Sequence, residues 1–355
     1  MSVRKEAVVF VPALTAQDKD FYLDLLSAGF TEHLESTSVK VKDIGEAKTA
    51  GNSGKRFELH TDSEKLKIVD VYEAYWGDLF SKLSDKDLKT RLLSGTSLTF
   101  YWFLGKIWAS AREAPALFIG VFISLMFLIF WYYGIIVMAL TAIGQDNNFF
   151  GFPIDCKLAT KLGQIGTSLG GWSVWLIASA LLNIIPVNIG VDIANFTKKY
   201  LDEDTDGRII RVKTRQRISV VLNDILNENI YDKVTILAHS FGVTIATDLL
   251  ADYHNPTKIR YISMGGALKV LSYKAEWIEK EIEKCLNNDT LETWIDFYSD
   301  RDWMCTKTPL PKGCSSNKIQ YRKINLKFSL LKQMSGESHN HYFTDENVLK
   351  TILNI

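Results

Sequence analysis

The sequence has no excess of either charge, because 41 lysine and arginine residues balance 41 aspartate and glutamate residues. Proteins that bind nucleic acid through a basic patch usually carry such an excess, so we expect no nucleic-acid partner. The start of the chain also lacks a convincing signal peptide, since its apolar run at residues 7–14 is short. Cysteine is scarce, and its spacing fits no metal-binding motif, so we expect reduced thiols, no metal and no cofactor. The four cysteines are Cys156, Cys285, Cys305 and Cys314.

Charged residues are missing altogether from two long stretches, residues 114–145 and 162–191. Each stretch exceeds the roughly 20 apolar residues that a helix needs to cross a bilayer. A charge at the bilayer centre costs about 2.5–3.5 kcal/mol on insertion scales, so spans are normally free of charge. The sequence therefore predicts transmembrane helices at residues 115–144 and 163–190. The aromatic run at residues 98–104 predicts a helix in the membrane interface before them.

Lysine and arginine lie on the outer sides of this predicted hairpin, whereas its connecting segment, residues 146–161, has two acids and two lysines. Positive residues favour the cytoplasmic side, so both outer parts of the chain should be cytoplasmic. This topology predicts a multi-pass protein of the inner membrane, with Cys156 outside. Gly166 and Gly170 have the spacing of a close helix contact, which leaves a homo-oligomer through the spans open.

The chain divides into three parts: residues 1–91, residues 92–195 with the hairpin, and residues 196–355. Strand-like and helix-like patterns alternate in the first and last parts, which predicts an α/β fold with a doubly wound, mostly parallel sheet. Residues 50–55 are interpreted as a plain turn, and residues 198–206 as a charged linker. The strands are predicted at residues 7–14, 39–41, 56–60, 67–75, 234–237, 259–264 and 294–298, and the helices at residues 21–26, 217–226, 275–285 and 346–353.

A serine stands between a strand-like and a helix-like run in residues 238–242, Ala-His-Ser-Phe-Gly. Small residues two positions to either side, Ala238 and Gly242, suit the tight turn that exposes a nucleophile between a strand and a helix. The N-terminus of the following helix favours developing negative charge. The plainer interpretation is a serine that caps a helix. The pattern predicts Ser240 as a nucleophile.

A serine nucleophile needs a base, and the base needs an acid that orients it. Asp300 and Asp302 follow the strand at residues 294–298, and His339 and His341 precede the last helix. The order serine, acid, histidine differs from the orders of chymotrypsin and subtilisin. The order alone does not choose between Asp300 and Asp302 as the acid, or between His339 and His341 as the base. Asp296 is a more distant alternative for the acid, because strand alternation turns it toward a face of the sheet.

These segments together resemble α/β-hydrolases of the lipase and esterase type, as found in bacterial proteins with membrane inserts. The resemblance rests on residues 10–13, 238–242, 297–302 and 339–343, and covers none of the spans. It implies Asp302 as the acid, through its distance from Tyr298, and His339 as the base, three residues before the Tyr-Phe pair. Two departures from the family are Ala238, where the turn usually has a glycine, and Pro-Ala-Leu at residues 12–14, where a glycine usually lends an amide to the oxyanion hole. Ala13 or Leu14 could lend that amide instead, with Phe241 as the second donor.

The sequence thus predicts a membrane-anchored serine hydrolase with a Ser240–His339–Asp302 triad. A site held at a bilayer meets acyl lipids at high local concentration, so acyl esters, phospholipids among them, are the expected substrates. An acyltransferase or thioesterase could use the same triad. The alternative from another class is a weakly active or inactive hydrolase-fold protein that signals or forms pores, which the altered loop at residues 12–14 favours. His239 is expected either to be a packing residue or to support a residue of the site from behind, and Glu73 is left outside the site.

Overall fold

An eight-stranded sheet forms the centre of the protein. Its order is β10-β9-β8-β7-β1-β4-β3-β2; β3 pairs antiparallel with β2 and with β4, and the other neighbours in this sheet pair in parallel. The strands are β1 (Arg4–Val11), β2 (Lys40–Thr49), β3 (Asn52–His60), β4 (Lys65–Glu73), β7 (Lys233–His239), β8 (Ile259–Met264), β9 (Leu291–Tyr298) and β10 (Ile319–Lys323), with β5 (Asn148–Phe149) and β6 (Phe152–Pro153) forming a separate hairpin. The computed structural model describes residues 3–14, 18–34, 39–49, 51–61, 65–80, 94, 97–98, 101–102, 108, 115–146, 148–149, 152–170, 187–202, 204–302, 304–314, 316–329, 333 and 337–355.

The two outer parts of the chain build this sheet jointly, because β1 pairs in parallel with β4 on one side and with β7 on the other. Alternate residues of β1 enter two different hydrophobic clusters: Val8 and Phe10 one, Val9 and Val11 the other. Apolar packing therefore covers both faces of the sheet, as a doubly wound arrangement requires. The predicted α/β class with a mostly parallel sheet is confirmed.

Helices cover the two faces unequally. Helices α1 and α10 pack on the face of Phe10, while α5, α6 and α8 pack on the face of Val9. The helices are α1 (Phe21–Glu32), α2 (Pro115–Asp146), α3 (Cys156–Leu169), α4 (Val187–Leu201), α5 (Thr205–Asn227), α6 (Phe241–Asp252), α7 (Leu268–Ser272), α8 (Trp277–Asn287), α9 (Glu337–Asn340) and α10 (Glu346–Leu353).

Three local interpretations of the sequence were wrong. Residues 52–55 belong to β3, because Gly51, with a φ of 87°, already completes the turn from β2. Residues 198–201 belong to the end of α4, and residues 205–206 open α5. The edge strand β10 was not predicted, since it is short and mostly polar and gives no apolar alternation.

The first charge-free stretch forms the single helix α2, as its composition predicts. The connecting segment differs from the prediction, because residues 156–161 open α3 and are not part of a loop. Gly163 of α3 lies so close to α2 that a Cβ there would meet Gly144 Cα at 2.7 Å, and a Cβ on Gly166 would meet Thr141 N at 2.7 Å. Small residues thus pack α3 against α2 within one chain.

The second predicted span, residues 163–190, is described only at its ends, since residues 171–186 lie outside the described part of the chain. Most of the predicted interfacial helix at residues 98–104 lies outside it as well. Where backbone and side chains are both described, no helix is long and apolar enough to cross a membrane.

Candidate active site

Ser240 lies on a sharp turn between β7 and α6, with a φ of 57° and a ψ of −124°. A residue with a Cβ rarely adopts a positive φ, so the turn is strained. Ser240 occupies the capping position of α6, yet its side chain makes no capping hydrogen bond. The plainer interpretation, a serine kept for helix capping, therefore has no support in the geometry.

Close packing against the end of β1 explains the small residue after the serine. A Cβ on Gly242 would collide with the carbonyl oxygen of Val11 and would lie 2.6 Å from that of Pro12. The N–H of Ser240 donates to the carbonyl of Met264 at the end of β8, at 2.9 Å. The turn is therefore fixed by the two strands that flank β7.

Asp302 and His339 form a buried pair beyond the carboxyl end of β9. His339 Nδ1 lies 2.8 Å from Asp302 Oδ2, and the other carboxylate oxygen accepts the N–H of Met304 at 3.1 Å. An ionised carboxylate only accepts, so Nδ1 carries the proton and Nε2 is the basic nitrogen. Nε2 is buried and has no hydrogen-bond partner among the described residues.

The alternative acids and base are engaged elsewhere. Asp300 is exposed and forms an ion pair with Lys323. Asp296 accepts hydrogen bonds from the Ser263 hydroxyl and the Thr308 N–H inside the core, and burial raises the pKa of its carboxyl. His341 Nδ1 lies 2.8 Å from the Thr344 hydroxyl. Of the four carboxylate and histidine candidates kept from the sequence, the structure joins Asp302 with His339 and separates Asp300 from His341.

Ser240 and His339 both adjoin the end of β8. The His339 ring packs on Gly265, where a Cβ would lie 3.1 Å from Cε1, and Ser240 is bonded to the preceding residue, Met264. No hydrogen bond joins the Ser240 hydroxyl to His339 Nε2. Catalytic hydrogen bonds are often long in free enzymes and tighten when substrate binds.

His239 contacts both the backbone and the ring of His339. Its Nε2 lies 2.9 Å from the carbonyl oxygen of His339, and the two ring centroids are 4.7 Å apart. A carbonyl only accepts, so His239 Nε2 carries the proton. Complete burial lowers the pKa of His239 well below its ordinary value, which keeps the ring neutral. The sequence predicts packing here, but gives no signal for this hydrogen bond.

The residues predicted to form the oxyanion hole lie at the two sides of the turn. Phe241 opens α6, and its ring packs among those of Tyr200, Phe196 and Trp76 at centroid distances of 5.2, 5.7 and 6.1 Å. Ala13 and Leu14 are buried just after β1. The contact of Gly242 with the end of β1 brings this segment against the turn.

Glu73 is a buried acid that the sequence left outside the site. It ends β4 opposite Phe10 of β1, and its Oε2 accepts the N–H of Asp20 at 2.6 Å. Burial raises the pKa of Glu73 to about 7. Glu73 thus ties the start of α1 to the edge of the sheet where Ser240 lies, and only its tertiary surroundings reveal this.

Comparisons of the chain with protein-family models, with curated proteins and with solved structures find no match. Within the described ranges, no three histidine, cysteine or acidic residues are grouped so that they could hold a metal ion. The four cysteines are free thiols.

Proposed function

We propose that the protein is a membrane-anchored serine hydrolase of the α/β-hydrolase, lipase and esterase type. One observation carries the proposal. A serine held at a positive φ lies at the same edge of the sheet as a buried Asp–His pair whose second imidazole nitrogen is unpaired. A strained, uncapped serine and an unpaired buried nitrogen are both costly to keep, which is typical of catalytic sites.

In the proposed reaction, Ser240 Oγ attacks the carbonyl carbon of an ester while His339 Nε2 takes its proton. Asp302 holds the imidazole through Nδ1 and stabilises the imidazolium that forms. The amides of Phe241 and of Ala13 or Leu14 would bind the oxyanion. The imidazolium then protonates the leaving alcohol, and a water molecule hydrolyses the acyl-enzyme by the same steps.

The substrate class follows from the proposed location. The charge-free stretches at residues 114–145 and 162–191 are each long enough to span a bilayer, and the basic residues flank them on the outer sides. We therefore place the hydrolase body at the cytoplasmic face of the inner membrane, where acyl lipids such as phospholipids are concentrated. This assignment rests on the sequence alone.

Labelling with a fluorophosphonate probe tests the function. The full chain in detergent micelles should be labelled, and Ser240→Ala should abolish labelling and lower hydrolysis of a short acyl ester by several orders of magnitude. Ser338→Ala is the matched control, because Ser338 directly precedes His339, is buried and has a hydroxyl with no hydrogen-bond partner among the described residues. Labelling that persists in Ser240→Ala, or is lost in Ser338→Ala, contradicts the assignment.

A second function, an inactive hydrolase-fold protein that signals or forms pores, is favoured by one observation. His339 Nε2 receives no hydrogen bond from the Ser240 hydroxyl, whereas an assembled triad has one. The same experiment separates the two functions. A folded wild-type chain that no fluorophosphonate labels supports the inactive protein.

A further inference from the structure

Asp302 Oδ2 accepts two hydrogen bonds from the segment that carries the candidate base. The first comes from His339 Nδ1 at 2.8 Å, and the second from the hydroxyl of Tyr342 at 3.0 Å. Tyr342 lies in the 3-10 turn His341–Phe343, directly after the helix that carries His339. The loop of the acid and the segment of the base are therefore joined by two hydrogen bonds that converge on one oxygen.

The surroundings of the Tyr342 hydroxyl direct its proton to Asp302. The ring is completely buried, and its oxygen also lies 3.4 Å from Cys305 Sγ. A phenol has one proton, and an ionised carboxylate accepts without donating, so that proton points at Asp302 and the thiol donates to the phenol oxygen. Burial raises the pKa of both the Tyr342 phenol and the Cys305 thiol well above their ordinary values, so both keep their protons.

The backbone makes room for this arrangement at one glycine. Gly265 has a φ of 63°, and a Cβ there would lie 3.0 Å from the Tyr342 ring and 3.1 Å from the His339 ring. The two rings stand edge to face, with centroids 6.4 Å apart. The titratable groups around the Tyr342 side chain are thus Asp302, Cys305, His339 and His239, whose ring centroid lies 6.1 Å from that of Tyr342.

We propose that Tyr342 is a positioning residue of the triad: its hydroxyl fixes the orientation of the Asp302 carboxylate and moderates the pull of that carboxylate on the His339 proton. The proposal rests on the proposed function, since it assigns a role within that triad. A hydrogen bond to a carboxylate draws off part of its charge, and a carboxylate with less charge stabilises an imidazolium less. Removal of the Tyr342 hydroxyl is therefore expected to leave Asp302 a stronger partner of the imidazolium.

The pH dependence of probe labelling separates this role from simple core packing. Tyr342→Phe keeps the buried ring and removes only the hydroxyl. The pH at which the labelling rate is half-maximal should rise by about half a unit, because Asp302 then stabilises the imidazolium more strongly. The rate at the plateau should fall about tenfold, because the carboxylate loses one of its anchors.

Tyr72→Phe is the matched control. Tyr72 is also completely buried, and its hydroxyl is bonded to Tyr231 in a part of the sheet away from the triad. It should keep the wild-type midpoint and plateau. Circular dichroism establishes that each variant is folded. A chain with 3,5-difluorotyrosine at position 342 keeps the shape of the side chain with a stronger donor, and should move the midpoint downward.

The outcomes are distinct. Midpoints that move up in Tyr342→Phe and down with difluorotyrosine support the proposal. Midpoints equal to wild type in both, with labelling that still depends on Ser240, overturn the role of Tyr342 and leave the hydrolase function intact. Absence of any Ser240-dependent labelling in the wild type overturns both. Should Tyr342→Phe fail to fold, an unchanged midpoint with difluorotyrosine is sufficient to refute the role.

Discussion

The strained backbone at Ser240 makes a prediction about stability that is independent of substrate. At a φ of 57°, the Cβ of Ser240 is in steric conflict with its own backbone, which costs on the order of 1–3 kcal/mol at such positions. Glycine adopts this conformation freely, but it also makes the unfolded chain more flexible, at a cost of roughly 0.5–1 kcal/mol. Ser240→Gly should therefore be more stable than Ser240→Ala by about 1 kcal/mol.

The comparison of these two variants isolates the effect of backbone strain on stability, because both lack the hydroxyl and only Ser240→Ala has a Cβ. The free energy of unfolding is measured by denaturant titration of the full chain in detergent micelles, followed by tryptophan fluorescence. Ala246→Gly is the opposite control: Ala246 is a buried residue inside α6, where the same change should destabilise by about 1 kcal/mol.

Two results would refute the reasoning. If Ser240→Gly is no more stable than Ser240→Ala, the turn is not strained by the Cβ. If Ala246→Gly also stabilises the protein, the effect belongs to glycine in general. The expected result has a functional meaning: the Cβ that any side chain needs at position 240 lowers stability, which is the trade-off expected where strain is kept for catalysis.

Two further predictions concern Glu73 and the membrane topology. Between pH 4.5, its ordinary pKa, and about 7, folded Glu73 holds a proton that the unfolded chain releases, so its contribution to stability falls by about 3 kcal/mol as the pH rises. Glu73→Gln should lack this fall in denaturant titrations from pH 4.5 to 8, and equal slopes for both proteins would contradict the assignment. An impermeant maleimide on intact spheroplasts should label the exposed Cys156 and spare the half-buried Cys314 until the membrane is permeabilised. Labelling of Cys314 first would reverse the proposed topology.

Patterns among residues that are close together in the sequence predicted much of the fold. The apolar runs of β7 and β8 are typical of parallel strands buried on both faces, and both form as predicted. Small residues around Ser240 indicated a tight turn, because only a residue as small as Gly242 fits against the end of β1. Where the pattern was weak, as in the largely exposed β2, the predicted strand was far shorter than the one observed.

The details of the site depend on neighbours that are distant in the sequence. Asp300 and Asp302 both follow β9, and their own segment does not decide between them. In the structure, Asp300 forms an ion pair with Lys323, whereas Asp302 is hydrogen-bonded to His339. Likewise, nothing near Tyr342 in the sequence shows that its hydroxyl reaches an acid forty residues earlier.

The aromatic contacts around Phe241 have a consequence for how the chain is assembled. Trp76 and Phe80, the last residues before the hairpin region, lie 5.5 and 5.7 Å from Phe196 of α4 by ring centroids. The segment of more than a hundred residues between Phe80 and Phe196 therefore begins and ends at nearly the same place in the fold. Closing a longer loop between ends that are already together costs only about 0.6 kcal/mol for each doubling of its length. A change in the length of the inserted segment is therefore expected to cost the sheet little stability, because Trp76, Phe80 and Phe196 already hold the two ends of that segment together.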